Sequence, residues 1–168
     1  MQTKIKIETI DLFCGIGGLT YGLRKSGINV IAGIDNDETC RYAYEKNNKI
    51  KFINADLTKF SSSEINKLYS KKALKILVGC APCQPFSSHS FKNKDKDHDE
   101  RWDLLTYFGK IINETLPEIV SMENVRGIVK TDIFKTFLDV LEKNNYHIDY
   151  KIVYVPDYGA PQNRSRLI

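Results

Sequence analysis

The sequence predicts an α/β fold, a doubly wound, Rossmann-like parallel sheet, on three observations. β-like apolar runs alternate with helical periods along the chain, which argues for parallel strands joined by crossover helices. A glycine-rich turn directly follows the first run, and acidic residues stand at or just past the ends of the next two. Ile5 to Phe13 reads as the first strand, Leu19 to Lys25 as a helix, Asn29 to Ile34 as the second strand and Glu38 to Asn47 as the second helix. A short strand at Lys51 to Ile53, a helix around Ser63 to Tyr69 and a fourth strand at Leu74 to Val78 follow, and then a long loop. The helix expected from Trp102 to Glu114 carries Leu105, Phe108, Ile111 and Ile112 on one stripe. Glu118 to Met122 is the fifth strand, and Thr131 is placed to cap a helix whose Ile133, Phe134, Phe137, Leu138 and Leu141 share a face. Ile148 to Val155 reads as a sixth strand, and Arg166-Leu167-Ile168 as the start of a seventh.

A chain of 168 residues, 42% hydrophobic and 27% charged, fits one globular domain, here residues 1–168. No apolar run approaches the ~20 residues needed to cross a bilayer, and the lysine-bearing N-terminus leads into no uncharged apolar stretch, so the expectation is a cytoplasmic protein with no membrane partner. The formal charge of +4 permits a polyanionic partner without demanding one. The dense segment Lys92 to Arg101 balances four basic against four acidic residues and reads as a solvated loop.

The segment Gly79-Cys80-Ala81-Pro82-Cys83-Gln84-Pro85-Phe86-Ser87 sets a cysteine between two prolines, directly after an apolar strand. A proline-stiffened turn there lifts a side chain out at the carboxyl end of a strand, where open α/β sheets place their ligands. Cys83 is therefore a candidate nucleophile, with a buried core thiol as the alternative. Cys80-x-x-Cys83 also has the spacing of a redox pair or half a zinc site. His89 and His98 lie too far apart to complete such a site, Cys14 and Cys40 stand alone, and the prolines suit no helix-opening redox motif, so neither a metal nor a disulfide is expected.

The turn Asp11-Leu12-Phe13-Cys14-Gly15-Ile16-Gly17-Gly18 lies between a strand and a helix, where glycines let a ligand approach the backbone and the helix start offers N–H groups to an anion. Asp35, about 20 residues on, stands where a carboxylate accepts hydrogen bonds from ribose hydroxyls. Asp56, in Asn54-Ala55-Asp56-Leu57, adds an acceptor for an adenine amino group. Singly, each reads equally as a tight turn or a helix cap; together they favour an adenosine-containing ligand, and both S-adenosyl-L-methionine and NAD satisfy them.

Four segments choose between these. Asp11 to Gly18, Pro82-Cys83-Gln84-Pro85-Phe86-Ser87, Glu123-Asn124-Val125 and Gln162-Asn163-Arg164-Ser165-Arg166 occur in the order and approximate spacing of the cytosine-C5 DNA methyltransferases. The chain resembles that family from about Ile10 to its last residue. The resemblance implies the S-adenosylmethionine-dependent methyltransferase type of sheet, truncated at the seventh strand, with S-adenosyl-L-methionine as cofactor and double-stranded DNA as partner. It implies methyl transfer to carbon 5 of cytosine through a covalent adduct at Cys83, with Glu123 donating a proton toward ring N3 and Arg164 holding the ring and orienting the thiol. Cofactor contacts are implied at Phe13, Gly15, Ile16, Gly18, Asp35, Asn36, Asp56, Leu57, Pro82 and Leu104. Nucleic-acid contacts are implied at Gln84, Ser87, Arg101 and Arg166, with Arg166 supporting the site or a phosphate. Asn36 departs from the pattern, since many relatives pack a large apolar residue on adenine there. Ser88 to Arg101 suits a lid over an extruded base.

The family's target-recognition region and its final helix fall beyond Ile168. The expectation is a fragment or one subunit of a split enzyme, needing a C-terminal region or partner for full activity. Two rivals remain at this level: a tRNA cytosine methyltransferase of the same fold, and a non-catalytic S-adenosylmethionine-binding subunit. The second has no use for Cys83, Glu123 and Arg164 together.

Overall fold

The first strand, β1 (Ile7–Leu12), is buried at five of its six positions, as a central strand covered on both faces requires. The computed structural model describes residues 5–82 and 103–168. Cys83, Gln84, Ser87, Arg101, the expected lid and Trp102 lie outside the described residues. The chain divides into two compact units, Met1–Cys80 with Glu114–Ser121, and Ala81–Asn113 with Met122–Ile168.

The first unit is built on a five-stranded sheet in the order β3-β2-β1-β4-β5, with β2 at Val30–Asp35, β3 at Lys51–Asn54, β4 at Leu74–Gly79 and β5 at Ile119–Met122. β1 runs parallel to both β2 and β4, and Leu12 stands opposite Ile34 on one side and Gly79 on the other. The strand order therefore reverses between β1 and β4, the point at which open α/β sheets bind ligands beyond their carboxyl ends. The expected helices are present as α1 (Gly18–Lys25), α2 (Arg41–Asn48) and α3 (Ser62–Leu68). α2 is preceded by a 3-10 turn, Glu38–Cys40, whose start is fixed by the Asp37 carboxylate accepting from the Thr39 N–H at 3.0 Å. α3 opens with a capping box between Ser61 and Glu64. No helix among the described residues is long and apolar enough to cross a membrane.

Tyr44, fully buried on α2, threads this unit together. Its ring meets Phe52 edge-on at 5.6 Å between centroids, and its hydroxyl lies 3.0 Å from the Thr20 hydroxyl on α1. Gly33 on β2 leaves the space that the ring and hydroxyl occupy, because a Cβ there overlaps both. Gly33→Ala is accordingly expected to destabilise the protein by about 1–3 kcal/mol through overpacking. A thermal melt superimposable on that of the wild type rejects this account.

The second unit pairs α4 (Asp103–Thr115, in this unit to Asn113) with α5 (Asp132–Lys143). Phe108 meets Phe137 at 5.7 Å between ring centroids. Thr131 caps α5 as expected, its hydroxyl accepting from the Phe134 N–H at 3.3 Å. β6 (Asn124–Val125), β7 (Ile152–Tyr154) and β8 (Ser165–Leu167) form a separate antiparallel sheet in the order β6-β8-β7. This corrects two expectations. The sixth strand is shorter than Ile148 to Val155: it begins only at Ile152, and it ends at Tyr154, where Val155–Tyr158 turns into a 3-10 helix with a proline in its first turn. The seventh, expected only as a start at Arg166-Leu167-Ile168, is the middle strand of this sheet: Leu167 is fully buried, and Lys151 and Ile168 exchange backbone bonds of 2.9 and 3.0 Å.

Candidate active site

In the first unit the glycine turn is strapped to the strand ends beside it. The Cys14 N–H donates to the Ile34 carbonyl at 3.2 Å and the Gly15 N–H to the Asp35 carboxylate at 2.8 Å. The other Asp35 oxygen accepts from the Asp37 N–H at 2.9 Å, while the Ala55 N–H donates to the Asp35 carbonyl at 2.9 Å. Asp35 thus ties the tips of β1, β2 and β3 together, and its remaining lone pairs are available to a ligand's hydroxyls. Phe13 adopts a left-handed backbone, φ +56°, which is strained for a side chain of its size and sits where turns of this kind serve ligands. Gly17, also left-handed, precedes α1, and no side chain caps that helix. A Cβ on Gly15 or Gly18 meets nothing within 4 Å, so the turn presents bare backbone and open space. Ile16 projects from it, 65% exposed. This cradle fits a nucleoside-bearing ligand whose anionic end sits at the helix start.

Beneath the turn lies a buried polar chain. Thr20 donates to Asp11 at 2.6 Å, which requires Tyr44 to donate to Thr20. The second Asp11 oxygen is buried with no hydrogen-bond partner. Burial pushes the Asp11 carboxyl up to about 7; the Thr20 bonds pull against this, and the charge of Asp35 adds to it. The same burial and the same two acids push the Cys14 thiol far above its ordinary value, so Cys14 stays protonated. Cys40 is raised as well, by burial and then by Asp37 and Asp35. Neither thiol is activated for attack.

Asp56 is engaged locally: one oxygen accepts from the Thr58 N–H at 3.0 Å and its hydroxyl at 2.7 Å, and Lys59 pairs with the other at 3.2 Å. The Thr58 bonds hold its carboxyl below the usual range. Leu57 is buried in the core, whereas Asn36 is exposed, its carbonyl accepting from the Asn54 amide at 3.0 Å.

In the second unit Glu123 is the single residue between the end of β5 and the start of β6. Arg166 of β8 places Nε 2.8 Å from Glu123 Oε1, and Arg164 places Nη2 3.6 Å from the same atom. The two arginines stand two apart along an extended segment and so share a side. The structure brings Arg166, expected at a phosphate or in a supporting place, closer to the acid than Arg164. Arg164 is the more open of the pair, 41% exposed against 20%, and has the freer guanidinium for a substrate. Immediately after the acid, buried Asn124 donates from Nδ2 to the Ala81 carbonyl at 3.1 Å. Asn124 was not anticipated as a site residue; its signal was an amide next to the acid in a short apolar strand. Pro82 is exposed at the end of the described segment, and Leu104 is half-buried in the first turn of α4. Among the described residues, no group of three or more His, Cys, Asp or Glu is placed to hold a metal ion.

Comparison with known proteins locates this arrangement. The profile of the C-5 cytosine-specific DNA methylase family matches residues 7–168. The type II methylase M.HgiDII of Herpetosiphon aurantiacus is 48% identical over 162 residues, covering 95% of this chain and 45% of its own length. The type II methyltransferase M.DsaV of Dactylococcopsis salina is 34% identical, covering 98% of the chain and 45% of its own. The solved structure of the Entamoeba histolytica methyltransferase EhMeth superimposes with a TM-score of 0.77 at 25% identity, over 98% of this chain and 52% of that one. The chain spans just under half the length of the curated relatives it matches.

Proposed function

The chain belongs to the C-5 cytosine-specific DNA methylase family, and on that premise we propose that it carries the catalytic residues for moving a methyl group from S-adenosyl-L-methionine to carbon 5 of cytosine in duplex DNA. The observation that carries the reading is the pair of arginines on Glu123, one residue before an amide bonded to the backbone that leads into Pro82-Cys83. Bound S-adenosylmethionine supplies an electrophilic methyl carbon. Everything else falls to side chains. The Cys83 thiolate adds to ring carbon 6, and Glu123 hydrogen-bonds N3 and donates its proton as charge builds there, which makes carbon 5 enamine-like. Arg164 and Arg166 hold Glu123 in place through Oε1, which leaves Oε2 to carry the proton toward N3, and Arg164 reaches the ring. Once the methyl group is on carbon 5, that carbon loses its proton to a water molecule, N3 returns its proton to Glu123 and the cysteine leaves carbon 6 as thiolate, which restores the ring double bond.

Of the cofactor contacts, the turn through Phe13, Gly15, Ile16 and Gly18 holds the amino-acid end, Asp35 the ribose, and Asp56 and Leu57 border the adenine with Asn36; Pro82 and Leu104 complete the set. Gln84, Ser87 and Arg101 contact the nucleic acid. A C-terminal region supplies target recognition, in the same polypeptide or as a partner.

The discriminating assay is transfer of tritiated methyl to duplex DNA against total tRNA, with the full-length protein and, where separate, its C-terminal partner. Label in DNA and none in tRNA is expected. Label in tRNA alone shifts the reading to the RNA-modifying branch, and saturable cofactor binding without transfer to either substrate supports the non-catalytic subunit.

A further inference from the structure

Asn124 is 3% exposed and its amide is oriented without ambiguity. Oδ1 accepts from the Val125 N–H at 2.8 Å and Nδ2 donates to the Ala81 carbonyl at 3.1 Å, so exchanging oxygen and nitrogen leaves donor facing donor and acceptor facing acceptor. The backbone at this residue is pinned as well, since Asn124 stands opposite the fully buried Leu167 and Val125 opposite Arg166. The far end of the bond is equally enclosed, Ala81 being 3% exposed. That carbonyl belongs to the Ala81–Pro82 peptide. Proline fixes its own φ and restricts the residue before it, so holding this oxygen sets the direction in which the chain proceeds toward Cys83.

We infer that Asn124 is a positioning residue, a buried clasp that fixes the backbone entering Cys83 to the strand that presents Glu123, so that nucleophile and proton donor are held in register. The inference rests on the cytosine chemistry proposed above. It assigns a task to a side chain that touches no reacting atom, and small misplacements of reacting groups cost rate steeply.

The test uses the full-length protein, with its C-terminal partner where that is separate, and follows covalent capture of 5-fluorocytosine duplex DNA by mass spectrometry in the presence of S-adenosylmethionine. Asn124→Ala and Asn124→Asp are expected to form the adduct roughly 10- to 100-fold more slowly at pH 8, with cofactor dissociation constant and melting temperature close to wild type. The aspartate variant carries its own control. Ionised, it accepts from Val125 but cannot donate to Ala81; protonated, it has the shape and hydrogen-bonding pattern of asparagine. Its adduct rate relative to wild type should therefore rise as pH falls, while the alanine variant's ratio stays flat. Glu123, Arg164 and Arg166, the charged groups around this position, are common to all three proteins, which is why the ratio is read. Adduct rates within twofold of wild type, or a flat ratio for Asn124→Asp, overturn the inference. So does joint loss of cofactor binding and thermal stability in both variants, which marks a structural role only. A wild-type protein that forms no adduct overturns the cytosine reading and takes this inference with it.

Discussion

Cys83→Ser is expected to abolish methyl transfer, lowering the rate by roughly 10⁴-fold or more, because the hydroxyl is a far weaker nucleophile than a thiolate near neutral pH. Carbon 5 of cytosine does not attack a methyl donor until carbon 6 has gained an electron pair, so this loss falls on the chemical step. Cofactor affinity should stay within about twofold of wild type, since the turn at Gly15 and the Asp35 carboxylate are untouched. The measurement is adduct formation with 5-fluorocytosine duplex DNA, in which the fluorine cannot leave as a proton does and the trapped protein gains the mass of the oligonucleotide. Cys40→Ser serves as the comparison. Its thiol is raised by burial and by Asp37 and Asp35, so its loss should leave the adduct intact. An adduct that persists in Cys83→Ser, or maps by peptide digestion to Cys80, removes Cys83 from the mechanism.

Much of the fold was legible because the sheet of the first unit is written in mostly apolar runs: Leu74 to Val78 and Asn29 to Ile34 each fall within about a residue of the observed strands. Legibility failed where elements were too short for any period to show. β6 has two residues and the Glu38–Cys40 turn three, and below one full repeat a pattern of two or 3.6 carries no information. The seventh strand was readable as a strand but not as the centre of an antiparallel sheet, because partner choice depends on contacts distant in sequence. The site divides in the same way. The glycine turn and Asp35 announce themselves through residue type and place at strand ends, and Glu123 only through the set of motifs that resembles the family's. The two-residue spacing of Arg164 and Arg166 foretells that they act together, though not that Arg166 lies nearer the acid. Only its place beside Glu123 marks Asn124 in the sequence, and that does not say what its amide does. Its meaning is the Ala81 carbonyl, 43 positions away.

Glu123→Gln is expected to lower turnover by about 10²- to 10⁴-fold, the range a positioned proton donor contributes. Glutamine keeps the size of the side chain and can still donate to ring N3 from its amide. It cannot give up a proton there, and on the side facing the two guanidiniums its amide oxygen is a weaker acceptor than Oε1 of the acid. Arg166→Ala should act through the same carboxylate. With Nε at 2.8 Å removed, Arg164 at 3.6 Å is the one ion-pair partner left among the described residues, and an acid held by one distant, half-exposed partner samples orientations that miss the base. The two substitutions are therefore not independent. If Arg166 works by orienting Glu123, the double variant turns over no more slowly than Glu123→Gln alone, and the interaction energy of the cycle is large. Losses that simply multiply separate the pair, and assign Arg166 to a contact with the nucleic acid rather than to the acid. The salt dependence of DNA binding gives the second reading. An arginine on a phosphate shifts the slope of log affinity against log salt by about one when removed, whereas an arginine spent on Glu123 leaves that slope where it was.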